Sequence, residues 1–303
     1  MSTFTAPMFT DENEARKALE AVRWPTGPVC PHCGGTEQIV RVEGVKQSHR
    51  PGLLYCNDCK GQFTVTVGTV FERSKIPLTK WWMATHLLCS SKKGISSHQI
   101  HRTLGVTYKT AWFMTHRIRE AMKSPGGLLG GGGKTVEADE TYLSKSPKTR
   151  KAPGTALNAK PATQVFALVE RGGDIRSMYL DDKNVRRALA KHLHDESRLV
   201  TDGAQTYKFV MPTKEQHESV DHSKFEWARG DVHTNTLESH FSLFKCGLVG
   251  TYQHMDKKHL PRYLAEFDFR YNNRAKLGIS DVARTVNAMK GIEGKRLTYR
   301  QAD

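Results

Sequence analysis

Three carboxylates and one amine carry the chemistry legible in this chain: Asp139, Asp202, Glu238 and, seven residues after the glutamate, Lys245. Asp139 falls in VEADETYL, whose alternation puts Glu137 and Asp139 on one face of a strand and Val136, Ala138 and Glu140 on the other. Asp202 closes the apolar run RLVTDG, where Gly203 permits a sharp exit and leaves a strand-terminal carboxylate facing outward. Glu238 follows on a helix with Leu237, Phe241, Phe244 and Leu248 as the buried stripe, and Glu238, Ser242 and Lys245 alongside it. Seven helical residues bring Lys245 almost in line with Glu238, about 10 Å further along the axis. Oxygen-only sets of two or three carboxylates select Mg2+ or Mn2+ over zinc, and two such ions about 4 Å apart serve in-line displacement at phosphorus. Plainer readings exist for each residue: Asn235-x-x-Glu238 fits a capping box, Asp202-Gly203 a turn, and Asp139 an ion pair with a basic neighbour.

A second metal site is written in the cysteines. Cys30-Pro-His-Cys33 and Cys56-Asn-Asp-Cys59 are two knuckles separated by 22 residues, and four thiolates close a tetrahedral zinc shell with no open position, so this Zn2+ is structural. Cys89 and Cys246 read as ordinary buried thiols.

The elements that must position these groups follow from periodicity and punctuation. DENEARKALEAVR reads as a helix ended by Pro25, a zinc ribbon follows to about residue 73, and Thr79 caps a helix through KWWMATHLLCS. Two helices with Gly105 at their turn then run from Ser96 to Met122, with Ile95, Ile100, Leu104, Val106, Ala111, Met114 and Ile118 as their apolar contacts. A second helix starting near Thr107 would present Tyr108, Lys109 and Thr110 to DNA in helix-turn-helix fashion, with Lys92, Lys93 and Arg117 adding charge. SPGGLLGGGGK has the composition of a flexible linker, and it precedes a strand instead of following one, which excludes a phosphate-binding loop. Beyond it, strands TVEADETYL, ATQVFALVE, DIRSMYL and RLVTDG alternate with helices VRRALAKHLHD, NTLESHFSLFKCGLV and HLPRYLAEFDFRYNNR, an α/β layout with a mixed sheet. The expected domains are an N-terminal helix (1–25), zinc ribbon (26–73), helix-turn-helix-like module (74–123), Gly-rich linker (124–134), catalytic domain (135–290) and C-terminal tail (291–303).

A formal charge of +15 over 303 residues points to a polyanionic partner, and the basic stretch holding Lys148, Arg150 and Lys151 is a further candidate for tracking a DNA backbone. No segment approaches the ~20 apolar residues of a membrane span, so the expectation is a cytoplasmic, nucleoid-associated protein without a membrane partner.

CPHC with CNDC, EADETY, LVTDGAQTY and HTNTLESHFSLFKCGLVGTYQHMDKKHLPRYLAEFDFRYNNR together resemble the DDE-type bacterial insertion-sequence transposases that join an N-terminal zinc ribbon to a ribonuclease-H-like catalytic domain. The resemblance implies a ribonuclease-H-like mixed sheet flanked by helices, with Asp139, Asp202 and Glu238 as ligands of catalytic Mg2+ or Mn2+ and Lys245 as the basic residue that accompanies them. It further implies binding of double-stranded DNA at element ends and target, phosphodiester cleavage followed by joining of the 3′-hydroxyl, and a homodimer or larger assembly on DNA. Rival expectations are a structure-selective nuclease that cuts without joining, and a catalytically silent zinc-ribbon regulator derived from a transposase.

Overall fold

Residues 3–42, 49–143, 163–181, 184–207, 211 and 216–298 are described by the computed structural model, and they separate into two units. The first is built from both ends of the chain, Met1–Lys123 with Asn273–Asp303; the second is the intervening Ser124–Asn272.

In the terminal unit a short helix α1 (Pro7–Thr10) leads into α2 (Glu12–Arg23), which Asp11 caps by accepting from the Glu14 amide. Strands β1 (Ile39–Arg41), β2 (Leu54–Cys56) and β3 (Gln62–Phe63) form the antiparallel ribbon. Helix α3 spans Leu78–Ser90, and its cap is not Thr79: the Glu12 carboxylate accepts from the amides of Leu78 at 2.7 Å and Thr79 at 3.2 Å. A distant acid thereby satisfies the first donors of the helix, a partner invisible in local sequence.

Helices α4 (Ser97–Leu104) and α5 (Tyr108–Ala121) start at Ser96 and Thr107, each hydroxyl accepting from the amide three residues on. Gly105 ends α4 in the left-handed region at φ 59°, as the turn requires. Ile95, Ile100, Leu104, Ala111, Met114 and Ile118 are buried as expected.

The C-terminal segment departs from expectation. Helix α9 (Asp281–Lys290), capped by Ser280, packs against α2, α3 and α5, so the central unit ends at Asn272, short of the 290 expected for the catalytic domain. The segment after it is no loose tail, since the Val70 amide donates to the Ile292 carbonyl, the Gly294 amide to Gly68, and Arg23 pairs with Glu293 at 3.1 Å.

The central unit carries one five-stranded mixed sheet: β4 (Thr135–Leu143), β5 (Thr163–Glu170), β6 (Ile175–Tyr179), β7 (Arg198–Asp202) and β8 (His217–Val220), ordered β6-β5-β4-β7-β8. β4 pairs antiparallel with β5 and parallel with β7, as does β7 with β8. This is the ribonuclease-H-like architecture. Val136, Ala138, Phe166, Leu168 and Leu199 face α6 (Val185–His192), while Val165, Ala167, Val169 and Ile175 face α7 (Asn235–Gly247) and α8 (Leu260–Asn272).

The Gly-rich run is part of this unit instead of a free tether. Leu129 is buried in the α6-side core and exchanges backbone hydrogen bonds with His192 and His194, and the Gly130 amide donates to Glu170. At Gly130 (φ 87°) a β-carbon would lie 2.0 Å from the Ser197 hydroxyl, so glycine is needed there for close approach as well as for conformation.

Candidate active site

The parallel pairing of β4 with β7 aligns Ala138 with Thr201, so the next rung sets Asp139, in the middle of β4, beside Asp202, the last residue of β7. Alternation puts both on the face that carries α7, together with Glu137, Val200 and Ala167. The helix itself is fastened by Glu137, which is wholly buried: its carboxylate accepts from the amides of Thr236 and Leu237 and from the Thr236 hydroxyl at 2.9 Å, and pairs with Arg171 at 2.8 Å. A negative charge at a helix N-terminus complements its dipole and its unpaired amides. The capping role open to Glu238 is thus filled by Glu137 from the sheet, and the Thr234 N-cap side chain makes no cap bond. Glu238 remains exposed, accepting from the Thr234 hydroxyl at 3.3 Å and lying 3.6 Å from His222.

The three acids feel one another. Burial pushes the Asp139 carboxyl up to about 7; the Glu140 amide, donating at 2.7 Å, opposes this, and the charges of Asp202, Glu140 and Glu238 add to it. Asp202 accepts from the Ala204 amide at 3.2 Å. Among the described residues none of the three acids is paired with a lysine or arginine, so the ion-pair reading of Asp139 is not realised. An all-oxygen, acidic set with no lysine or arginine partner among the described residues fits a hard divalent cation. The acids do not close as tightly as the cysteines: among the described residues only the four thiols bring three or more ligand atoms within 4.8 Å of one another.

Behind the site, Tyr207 donates to Glu140 at 2.6 Å from the α6 side of the sheet, and burial raises both groups from their ordinary values. Lys245 is exposed on α7, as is Ser242, while Leu237, Phe241 and Phe244 are buried and Leu248 only half so. Cys246, expected to be buried, is also exposed, because it falls on the outer side of α7.

In the terminal unit the cysteine sulfurs approach in pairs, Cys30 with Cys59 and Cys33 with Cys56, each at 3.6 Å. A tetrahedral zinc with Zn–S of about 2.3 Å requires sulfur separations of about 3.8 Å, so the thiols fit the ion that the knuckles imply. Lys92 and Lys93 are exposed in the loop before α4, and Tyr108 and Lys109 are exposed at the start of α5, with Thr110 half-buried one residue on. Arg117 is different: it donates to the Glu72 carbonyl at 3.3 Å and lies over the Phe113 ring, so packing occupies its guanidinium. Lys148, Arg150 and Lys151 lie outside the described residues.

Comparison with known proteins matches the ISXO2-like transposase domain to residues 128–272, ending at the last residue of the central unit, and a transposase zinc-ribbon domain to residues 10–62. A protein of Halobacterium salinarum, an uncharacterized protein in transposable element ISH50, is 30% identical over 281 residues, covering 86% of this chain and 91% of its own length. This chain belongs to the ISXO2-like family of insertion-sequence transposases. No solved structure matches it. The family places a transposase domain on the unit that holds the three acids and a zinc ribbon on the four cysteines.

Two features of this transposase escaped the sequence. Glu137 was visible as an inward acid on the strand of Asp139, a signal of a buried partner, but its partners on α7 lie 99 and 100 residues away. His222 stands outside every periodic element and gave no signal.

Proposed function

We propose that this transposase binds the ends of its mobile element, hydrolyses a phosphodiester there, and joins the freed 3′-hydroxyl to target DNA at the site formed by Asp139, Asp202 and Glu238. The observation that carries the reading is the rung of adjacent strands that sets Asp139 beside Asp202, facing the helix that bears Glu238. These carboxylates would hold Mg2+ or Mn2+, two ions in all, whose positive charge supplies electrophilic activation of the phosphate and stabilises the attacking and leaving oxygens. In the first step water oxygen bonds to phosphorus as the bond to the 3′-oxygen breaks, and that oxygen leaves with a proton as the 3′-hydroxyl. In the second, that hydroxyl attacks a target phosphodiester and displaces the target's 3′-oxygen. Lys245, about 10 Å along α7 from Glu238, contributes a cation for a flanking phosphate. Tyr108, Lys109, Thr110, Lys92 and Lys93 grip duplex DNA, and two ends are held by a homodimer or larger assembly in the cytoplasm.

The test uses a labelled duplex of the element end with Mg2+ or Mn2+. Asp139→Asn, Asp202→Asn and Glu238→Gln should each abolish cleavage while retaining DNA binding, and the wild type should give a strand-transfer product. Cleavage that survives any of these changes overturns the site; cleavage without joining assigns the chain to the structure-selective nucleases.

A further inference from the structure

Between β8 and α7 the chain turns through Asp221–Arg229, and this turn is tied down on every side. The Lys224 and Glu226 amides donate to the Asp221 carbonyl, the Asp221 amide donates to the Glu226 carboxylate at 3.2 Å, and Arg229 donates to the Ser219 carbonyl at 3.3 Å. From this fixed backbone two large aromatics project into solvent: Phe225 is 83% exposed and Trp227 60%. Phe225 also sits at φ 61°, a left-handed conformation that a bulky residue adopts only when its surroundings impose it. An exposed aromatic pair on a strained, well-anchored turn calls for a partner.

The position of the turn says which partner. The Trp227 ring lies against His222, centroids 4.9 Å apart at 34°, and the Nε2 of the same histidine is 3.6 Å from the Glu238 carboxylate. Trp227 therefore stands one side chain away from an acid of the proposed phosphoryl-transfer site, where DNA bearing the scissile phosphate must pass, and Phe225 is two residues before it in the same turn. Every base offers an apolar π face that stacks on such a ring whatever the sequence, once it is released from its neighbours in the duplex. The other four tryptophans do not compete for this role: Trp24, Trp81 and Trp82 are buried and Trp112 is partly so.

We infer that Trp227, with Phe225 beside it, is a stacking platform for an unpaired DNA base next to the phosphodiester held at Asp139, Asp202 and Glu238. The inference rests on the phosphoryl-transfer reading of those acids for its location. Duplex DNA must open locally to engage the platform, so the aromatics favour unpaired over paired nucleotides at the cut site.

Two measurements on the full chain separate this idea from the reading beneath it. Binding of a 20-nucleotide oligothymidylate, with Asp139→Asn protein and without divalent metal, should weaken about tenfold in Trp227→Ala, little in Trp227→Phe, and duplex binding should change less than twofold. Cleavage of a fully paired element end should fall at least tenfold in Trp227→Ala, and a substrate with two mismatched pairs beside the cut should restore it. Equal affinity of the Ala variant and its parent for the oligothymidylate, or equal loss on paired and mismatched ends, overturns the platform. If the wild type binds the oligothymidylate through Trp227 yet cleaves no DNA, the platform stands and the phosphoryl-transfer reading falls.

Discussion

Asp139 and Glu137 share one face of β4 two residues apart, but Glu137 is matched by Arg171 and by the first amides of α7, whereas Asp139 is half-buried beside other acids and matched by no lysine or arginine among the described residues. The consequence for Asp139 has a definite sign. Its folded carboxyl titrates near 7 against an ordinary 3.8, so between those values the folded state holds a proton that the unfolded chain has lost. Stability contributed by that proton is present at low pH and falls as pH rises from about 4 to 7. Asp139→Asn should therefore leave the metal-free melting temperature unchanged near pH 4 and raise it at pH 8, by about 2–4 °C for each kcal/mol relieved. Added Mn2+ should stabilise the wild type at pH 8 and not the variant. Calorimetry at the two pH values checks both; a variant that melts below the wild type at pH 8 without metal would show that Asp139 is compensated in some other way.

At the scale of elements, the pinning of α7 by Glu137 predicts an effect on chemistry from a residue that touches none of it. Glu137→Gln takes the nearer carboxylate from Arg171, leaving Asp231 at 4.0 Å, and weakens the helix start, costing about 2–4 kcal/mol by denaturant midpoint. Its cleavage rate should drop at least tenfold as Glu238 loses its fixed position, with DNA affinity little changed. Tyr207→Phe, on the other face of the sheet, removes the donor to Glu140 and should cost about 1–3 kcal/mol.

What the sequence made legible at this scale is uneven for physical reasons. β5 and β7 stood out because each buries an apolar run with clear punctuation, and β4 through its alternation, whereas β6 buries only Ile175. β8 is His-Glu-Ser-Val, four residues of which only the last is buried, so it lacks the apolar alternation that betrays a strand. The Gly-rich run suggested slack through its composition, whereas its glycines serve close packing, as Gly130 against Ser197 shows. Helix α9 has a Ser cap and an amphipathic pattern, but nothing local says that its partners are α2, α3 and α5. The rung that pairs Asp139 with Asp202 needed the strand order, which alternation alone does not supply.

For the whole molecule, the zinc ribbon in one unit and the proposed Mg2+ or Mn2+ site in the other predict separate responses. A strong zinc chelator should unravel the ribbon of the terminal unit and abolish DNA binding, while hydrogen exchange in β4, β5 and β7 stays protected; loss of protection in both units at once would contradict that division. The charge of +15 predicts that DNA affinity falls steeply with salt, with a log–log slope of about −0.9 for each phosphate contacted. Among the described residues no helix is long and apolar enough to cross a membrane.

The terminal unit is stitched together from the first and last stretches of the polypeptide, and this sets an order on its birth. While a ribosome is still working through the middle of the message, α3 waits without α9: His86 lacks Thr285, the Cys89 carbonyl lacks Arg284, and Val70 lacks its bond to Ile292. Only when translation is all but finished can the first-made stretch close, whereas the central unit with Asp139, Asp202 and Glu238 has by then emerged entire. A nonsense codon shortly after Asn272 would thus spare the unit that holds Asp139, Asp202 and Glu238 and cripple the part made first.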